Sequence, residues 1–302
     1  MEAIHIGRNR HDVVFDVVIF ILLTIIFLIV AYPLYFIIIS SISDPVAVAQ
    51  GKVVAVPIGF TLDGYKSVFE HGDVMRGFKN SLIYTVVGVT INLLVTLPTS
   101  YALSRKDFLL RKPITLFYMV TMFVGGGMIP TYLIVRGTGL INTMWALVIP
   151  GCLGVYNMIV ARTFFTTNIP VELMEAAKLD GCGNTRFFVS IVLPLSGAII
   201  AILFLYYGVG HWNSYFSALL YINDREKMPL QMELRMILIQ NSDSMTKTTY
   251  TEAERLEKER LEALKEMMKY SLIIISSIPV LIIYPFVQKF FVKGVMIGSV
   301  KG

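Results

Sequence analysis

The sequence predicts an all-α polytopic membrane protein with six transmembrane helices, and two observations carry that prediction. Of its 302 residues, 55% are hydrophobic and only 16% charged, where soluble domains carry about 25% charge. Mean hydropathy is +0.68, and the apolar residues gather in uninterrupted runs of about twenty, the length a helix needs to cross hydrocarbon. Such a chain can bury its apolar surface only with lipid as its solvent, where every backbone polar group must be satisfied within a helix or a closed barrel.

The first run, 13–39, follows a polar head containing Arg8 and Arg10. A secretory signal would have an apolar region of about 7 to 15 residues and a small-residue cleavage site. This run is longer, holds Pro33 and shows no convincing site, so it reads as an uncleaved first span. Further spans read as 81–103, 114–135, 145–165, 191–207 and 270–287, within one transmembrane domain over 1–302. An even number of spans puts both termini on one side. Arg8, Arg10, Arg105, Lys106, Arg111, Lys112, Arg162, Lys178, Arg186, Lys289, Lys293 and Lys301 fall on that side, against Lys52, Lys66, Arg76, Lys79 and Arg136 in the first two opposite loops. Positive charge in short loops marks the cytoplasm, so both termini are expected inside.

Two outer loops are expected, 43–80 and 222–269. The first is too polar and too rich in Gly and Pro to be embedded, and reads as a small outer cap. In the second, Thr251 to Lys269 interleaves acidic and basic residues in the manner of a water-facing helix. Before it, Pro229 to Gln240 sets Leu230, Leu234, Ile237 and Leu238 around Glu233 and Arg235, which suits a helix lying at the membrane interface and equally one packed on another protein.

Several chemistries are excluded. There is no HExxH, GxSxG or P-loop, and the spans hold almost no ionisable residues apart from Asp16, which disfavours intramembrane catalysis and proton relays. His5, His11, His71 and His211 are too scattered to share a metal, and Cys152 and Cys182 form no CxxC pair. The net charge of +5 is spread in short clusters beside apolar runs, so it signals topology and not nucleic acid. No bound cofactor is expected, and any ATP with its Mg must be used by a partner. What the spans do hold is Pro33, Pro98, Gly125-Gly126-Gly127 before Pro130, and Pro150-Gly151, which soften or break helices, or serve close packing.

The most specific stretch joins the fourth and fifth spans, in the loop 166–190: Ile169-Pro-Val-Glu-Leu-Met-Glu-Ala-Ala-Lys-Leu-Asp-Gly181, nine residues, then Ile191-Val-Leu-Pro194. Pro170 suits the first turn of a helix, Glu172 and Glu175 favour its positive N-terminal end, and Gly181 is a natural stop. That predicts a helix of about 11 residues, roughly 16 Å long. Leu173, Ala176, Ala177 and Asp180 then share a narrow face with small side chains in its middle, suited to a cleft on another protein and joined to a span through Leu193 and Pro194.

The pattern EAA, three residues, Gly, nine residues, I-x-L-P resembles the signature loop of permease subunits of ABC importers at Glu175, Ala176, Ala177, Gly181, Ile191, Leu193 and Pro194. Within that family the chain is similar, over nearly its whole length, to the maltose-type (MalG-like) carbohydrate permeases, and to their subgroup for oligosaccharides, including uronic-acid-containing fragments. The supporting stretches are Ser43 to Pro45, Asn80-Ser81, Tyr101 to Phe108, His211 to Leu219 and the end from Gln288. The resemblance implies a type I importer permease that does no covalent chemistry and works by alternating access. It makes Glu175 to Gly181 the coupling helix in a groove of an ATPase, and sets Gly298 to Gly302 near the ATPases. It also implies a homologous second permease chain, two ABC ATPase subunits and an extracellular, lipid-anchored solute-binding protein.

Candidate substrate contacts are Tyr156, Asn157, Tyr207, His211, Trp212, Asn213 and Tyr215, because sugars stack on aromatic rings and hydrogen-bond to amides. The same residues also suit an interfacial girdle of Trp and Tyr, or plain packing. The coupling loop alone would equally serve a permease for another polar solute.

Overall fold

A computed structural model describes residues 10–240 and 252–299, and among these every regular element is helical. The head 1–9, the segment 241–251 and the tail 300–302 lie outside the described residues, and with them Arg8 and most of the expected ATPase-facing tail. The chain divides into two compact units, Met1–Glu70 with Gln240–Ile275, and His71–Ile239 with Ser276–Gly302.

In the first unit, α1 runs over Arg10–Ser41, and its apolar side chains are exposed on nearly all faces. After it, within the expected cap 43–80, come two short helices, α2 (Pro45–Ala49) and α3 (Asp63–Glu70). Asp44 starts α2 by accepting from the N–H groups of Val46 and Ala47, both at 3.0 Å. Ser43 Oγ donates to the Ile39 carbonyl (2.6 Å) and accepts from Ile58 N–H (3.2 Å), folding the loop back on the end of α1. Ile39, Ala47, Val48 and Val53 form the small core beneath it.

The second unit is built around α4, Gly72–Ser104, which starts earlier than the expected span 81–103. Residues 72–80 are polar, yet they stay helical because they grip a distant segment. Asn80 Nδ2 donates to the carbonyls of Glu226 (2.8 Å) and Met228 (3.1 Å), and Tyr84 donates to that of Lys227 (2.9 Å). Leu230 N–H donates to Ser81 Oγ (2.9 Å), and Asp73 pairs with Arg225 (2.8 Å) and Arg76 (3.1 Å). The gripped segment leads into α14, Leu230–Gln240. Here burial does not follow the apolar pattern, for Leu238 and Ile239 are exposed while Glu233 is 2% exposed. Gly77 leaves the room, since a Cβ there would sit 3.2 Å from Glu233 Cγ and from the Leu230 backbone.

Burial pushes the Glu233 carboxyl above its ordinary value of 4.5, with Asp73 adding to the rise and Arg225, His71 and Arg76 opposing it. A carboxyl raised in the folded state stabilises the fold while protonated, and that contribution is lost as pH climbs from the ordinary value through the raised one. Thermal unfolding of the purified protein should therefore show stability falling across that window. Glu233→Gln should flatten the fall, and an unchanged pH profile in the variant would refute the assignment.

The next three apolar runs are not single helices. The run 114–135 is two helices, α5 (Arg111–Phe123) and α6 (Met128–Gly137), bent by 116° at the Gly125-Gly126-Gly127 triplet. Gly127 takes φ +85°, a conformation that side chains resist. The run 145–165 is also broken, into α7 (Trp145–Val148) and α8 (Val155–Asn168), around Pro150-Gly151. The run 191–207 begins in the wrong helix. After α9 (Val171–Leu179) and α10 (Asn184–Phe187) comes a π-helical turn at Phe188–Val192, then α11 (Leu193–Leu195), and the chain turns by 81° at Ser196 into α12, Gly197–Trp212. Pro194 explains the π turn, since it has no N–H to give to the carbonyl four residues back. Then follow α13 (Tyr215–Tyr221) and α15, a single helix over Glu252–Ser299 that joins the charged run and the last span without a break. Among the described residues, three helices are long and apolar enough to cross a membrane, and up to five segments if each bent pair is one span.

Helices α8 and α12 pack on α4, with Val89, Leu97, Tyr101, Ala161, Phe165, Leu203 and Tyr207 in the shared core. Small residues allow the close approach, which matters because lipid supplies no hydrophobic drive between helices.

Candidate functional site

The loop that carries the sequence signature forms α9. Pro170 sits one residue before the first helical position, at the N-cap, and not within the first turn. The helix has 9 residues, fewer than expected. Its far end is closed by N–H groups of Asp180, Gly181 and Cys182 bonding back to Ala176, Lys178 and Ala177 at 3.1, 3.0 and 2.8 Å. Gly181 has φ +73° with open space where a Cβ would be, so the backbone conformation, and not crowding, calls for glycine.

The expected face divides. Ala177 is buried in the unit's own core beside Phe187, with Met174 packed against it, while Glu175, Leu173, Ala176 and Asp180 are exposed and Leu179 is 90% exposed. Met174 and Ala177 are three residues apart and meet the aromatic wall together, which turns Ala176 outward. Leu193 is half-buried against that core and Pro194 is exposed. The path from α9 to α12 therefore passes through Leu193 and Pro194 by way of the π turn and the bend at Ser196.

Sequence reading missed the residues around α9. Arg105, just past α4, bonds through Nε to Asp107 Oδ1 (2.8 Å) and through Nη2 to the other carboxylate oxygen. Its Nη1 donates to Asn184 Oδ1 (3.0 Å), and its guanidinium lies 5.8 Å from the Tyr101 ring centre. Asp107 also pairs with Lys178 of α9 at 3.5 Å. Hydrogen bonds from Arg105 hold the Asp107 carboxyl at about 2, with Lys178 adding a little. The only sequence signal was the stretch Tyr101 to Phe108, noted without a role.

The candidate substrate contacts fall into two groups. Tyr207, His211 and Trp212 serve the bundle itself. Tyr207 OH meets Thr96 Oγ1 at 2.8 Å and accepts from Gly154 N–H at 3.2 Å. His211 Nε2 meets Asn92 Oδ1 at 2.7 Å, and Asn92 Nδ2 donates to the carbonyls of Gly151 (2.9 Å) and Cys152 (3.0 Å). Trp212 Nε1 donates to the Ser276 carbonyl at 2.9 Å, and its ring packs edge-on with Phe78. Thus α4 and α12 together satisfy the backbone groups freed where the α7–α8 segment breaks, as a broken helix in lipid requires. The others are accessible: Tyr156, Asn213 and Tyr215 are exposed, and Asn157 is half-buried beside Gly154. Asn213 accepts from Gln231 Nε2 at 3.4 Å.

Comparison with known proteins gives the class of this broken-helix bundle, a permease subunit of an ABC importer. The chain is 37% identical over 295 residues to the polygalacturonan/rhamnogalacturonan transport system permease protein YtcP of Bacillus subtilis (strain 168), covering 98% of this chain and all of that protein. It is 39% identical over 303 residues to protein LplC of the same organism, covering both chains fully. A chain from the crystal structure of a bacterial ABC transporter involved in import of the acidic polysaccharide alginate superposes with TM-score 0.85 at 30% identity, over 94% of this chain and 99% of that one. No protein-family model matches the chain. The chain belongs to the maltose-type permease family of ABC importers.

Proposed function

We propose that this chain is one of two transmembrane permease subunits of an importer that takes up acidic plant or algal oligosaccharides handed over by an extracellular binding protein. The observation that carries the reading is α9, closed by Gly181 and presenting Leu173, Glu175, Ala176, Leu179 and Asp180 outward, in a chain whose relatives match it end to end. In this reading α9 docks on a partner ATPase, which binds ATP and Mg while this chain binds neither. Six crossings are then α1, α4, α5 with α6, α7 with α8, α10 to α12, and α15, with both termini in the cytoplasm. Closure of the ATPases displaces α9 and tips the bundle between outward and inward access. Tyr156, Asn157, Asn213 and Tyr215 remain the residues free to meet a sugar, since Tyr207, His211 and Trp212 are engaged within the bundle.

The test is the ATPase activity of the reconstituted complex, with partner permease, ATPases and binding protein, over a panel of neutral and uronate oligosaccharides. Uronate fragments should stimulate hydrolysis, and Glu175→Lys should abolish that stimulation by placing a cation on the docking face. Stimulation by neutral sugars alone would overturn the acidic cargo. A response to no glycan would favour another polar solute, and stimulation that survives Glu175→Lys would overturn the coupling role.

A further inference from the structure

We infer that Arg105 and Asp107 brace the coupling helix to the end of α4, so that α9 and α4 move as one body when the ATPases close; this rests on the coupling reading of α9. The chain offers an obvious place for such a movement to be lost. Between α9 and α10 lie only Asp180 to Gly183, with glycines at 181 and 183 and the first of these in a left-handed conformation. Force entering α9 and carried only along the chain would pass through this soft turn and then through the π turn and the bend at Ser196.

The brace bypasses that route. Lys178 lies before the turn and Asn184 after it, and both are tied to the same pair of side chains at the foot of α4: Lys178 to Asp107 at 3.5 Å, and Asn184 to Arg105 at 3.0 Å. The two ties differ in strength. The side chains of Lys178 and Asp107 are 52% and 45% exposed, so their pairing contributes little by itself. The Arg105 side chain is only 11% exposed and grips Asp107 with two nitrogens. A third nitrogen reaches Asn184, and also the Tyr101 hydroxyl at 3.4 Å. Tyr101 in turn stacks on Phe188 (5.1 Å) and meets Phe165 edge-on (5.8 Å). Reaching a carboxylate and an amide at once requires the planar fork of arginine, which lysine lacks. Arg105 is thus a positioning residue, acting on the transport cycle through α9 and α10 without touching cargo or nucleotide.

The experiment measures whether α4 and α9 keep their separation through the cycle. Spin labels are placed at Lys106 and Val171, both exposed, in a Cys152→Ser/Cys182→Ser background of the full complex. Their distance is read by pulsed electron resonance without nucleotide and after trapping with ATP and vanadate. With Arg105 present the distance distribution should be the same in both states. With Arg105→Gln it should shift or broaden on trapping, and Arg105→Lys should not restore it. Import per ATP hydrolysed should fall roughly tenfold in the same variant, within the range by which residues between coupled sites modulate coupling. A distance that shifts on trapping with Arg105 in place, or that stays fixed in Arg105→Gln, overturns the brace. Should Arg105→Gln fail to assemble, Asp107→Asn, which leaves the Arg105–Asn184 bond intact, decides by the same two outcomes. The Glu175→Lys assay stands apart: persistent stimulation there removes the coupling role, whereas a shifting distance removes only the brace.

Discussion

Gly88→Ala is expected to destabilise the protein by about 2–4 kcal/mol, the sum of overpacking and a disrupted buried hydrogen bond. A Cβ at Gly88 would lie 2.5, 2.6 and 2.7 Å from Nε2, Cε1 and Cδ2 of His211, so even a single methyl group must displace the ring. The ring cannot move freely, because His211 Nε2 is held at 2.7 Å by Asn92. Displacing it breaks that bond and loosens the amide that satisfies the Gly151 and Cys152 carbonyls. The check is thermal unfolding of the detergent-solubilised complex, run as a double-mutant cycle with His211→Ala. Removing the ring first should make Gly88→Ala nearly harmless, giving an interaction energy well above the additive expectation of about 0.5 kcal/mol. Equal damage in both backgrounds would show that the ring is not what Gly88 accommodates.

Asn92→Leu is expected to cost about 2–4 kcal/mol. Asn92 is fully buried and makes hydrogen bonds to three groups at once. Leucine has the same number and branching of side-chain heavy atoms but bulkier methyl groups, so the cost combines the polar groups left unpaired with some overpacking. Each such group costs about 1–3 kcal/mol in a soluble core. Hydrogen bonds between membrane helices average nearer 0.6 kcal/mol, because the unfolded chain finds other partners in the bilayer. The break at 149–154 argues for the upper range, since its carbonyls have no helical ladder to fall back on. Asn92→Asp should be worse than Asn92→Leu, for it sets carboxylate oxygens against the two carbonyls. The same unfolding assay decides, and finding Asp milder than Leu would mean that the amide does not hold the broken segment.

Much of the fold could be read because its signals are local. The runs 13–39 and 81–103 are apolar enough to announce α1 and α4, and Pro170, Glu172 and Gly181 announce α9 through helix-end chemistry alone. The breaks were signalled by Gly125 to Gly127, Pro150-Gly151 and Pro194, but not their angles, since a soft point in a chain does not say which way neighbours will pull it. Facing was hardest. In lipid both sides of a helix are apolar, so periodicity no longer separates inside from outside, and two adjacent alanines in α9 suited either side. The contacts that went unseen join distant residues: His211 and Asn92 lie 119 residues apart, and Arg105 and Asn184 lie 79 apart. Glu233 was misread for a related reason, because the gap that admits it is made by Gly77 on another helix.

Helix α4 is 33 residues long, about 50 Å, against a hydrocarbon layer of about 30 Å. It stands proud of the membrane, with the grip on residues 225–233 at its beginning and Arg105 at its end. A bias imposed at either end on the tilt of this rod is necessarily felt at the other, and equilibrium linkage makes that influence mutual. In the proposed orientation, the free energy by which a ligand at the 225–233 end changes affinity for a partner at the Arg105 end equals that by which the partner changes affinity for the ligand. Signalling through this subunit therefore has no built-in direction, and the direction of transport comes from ATP hydrolysis alone.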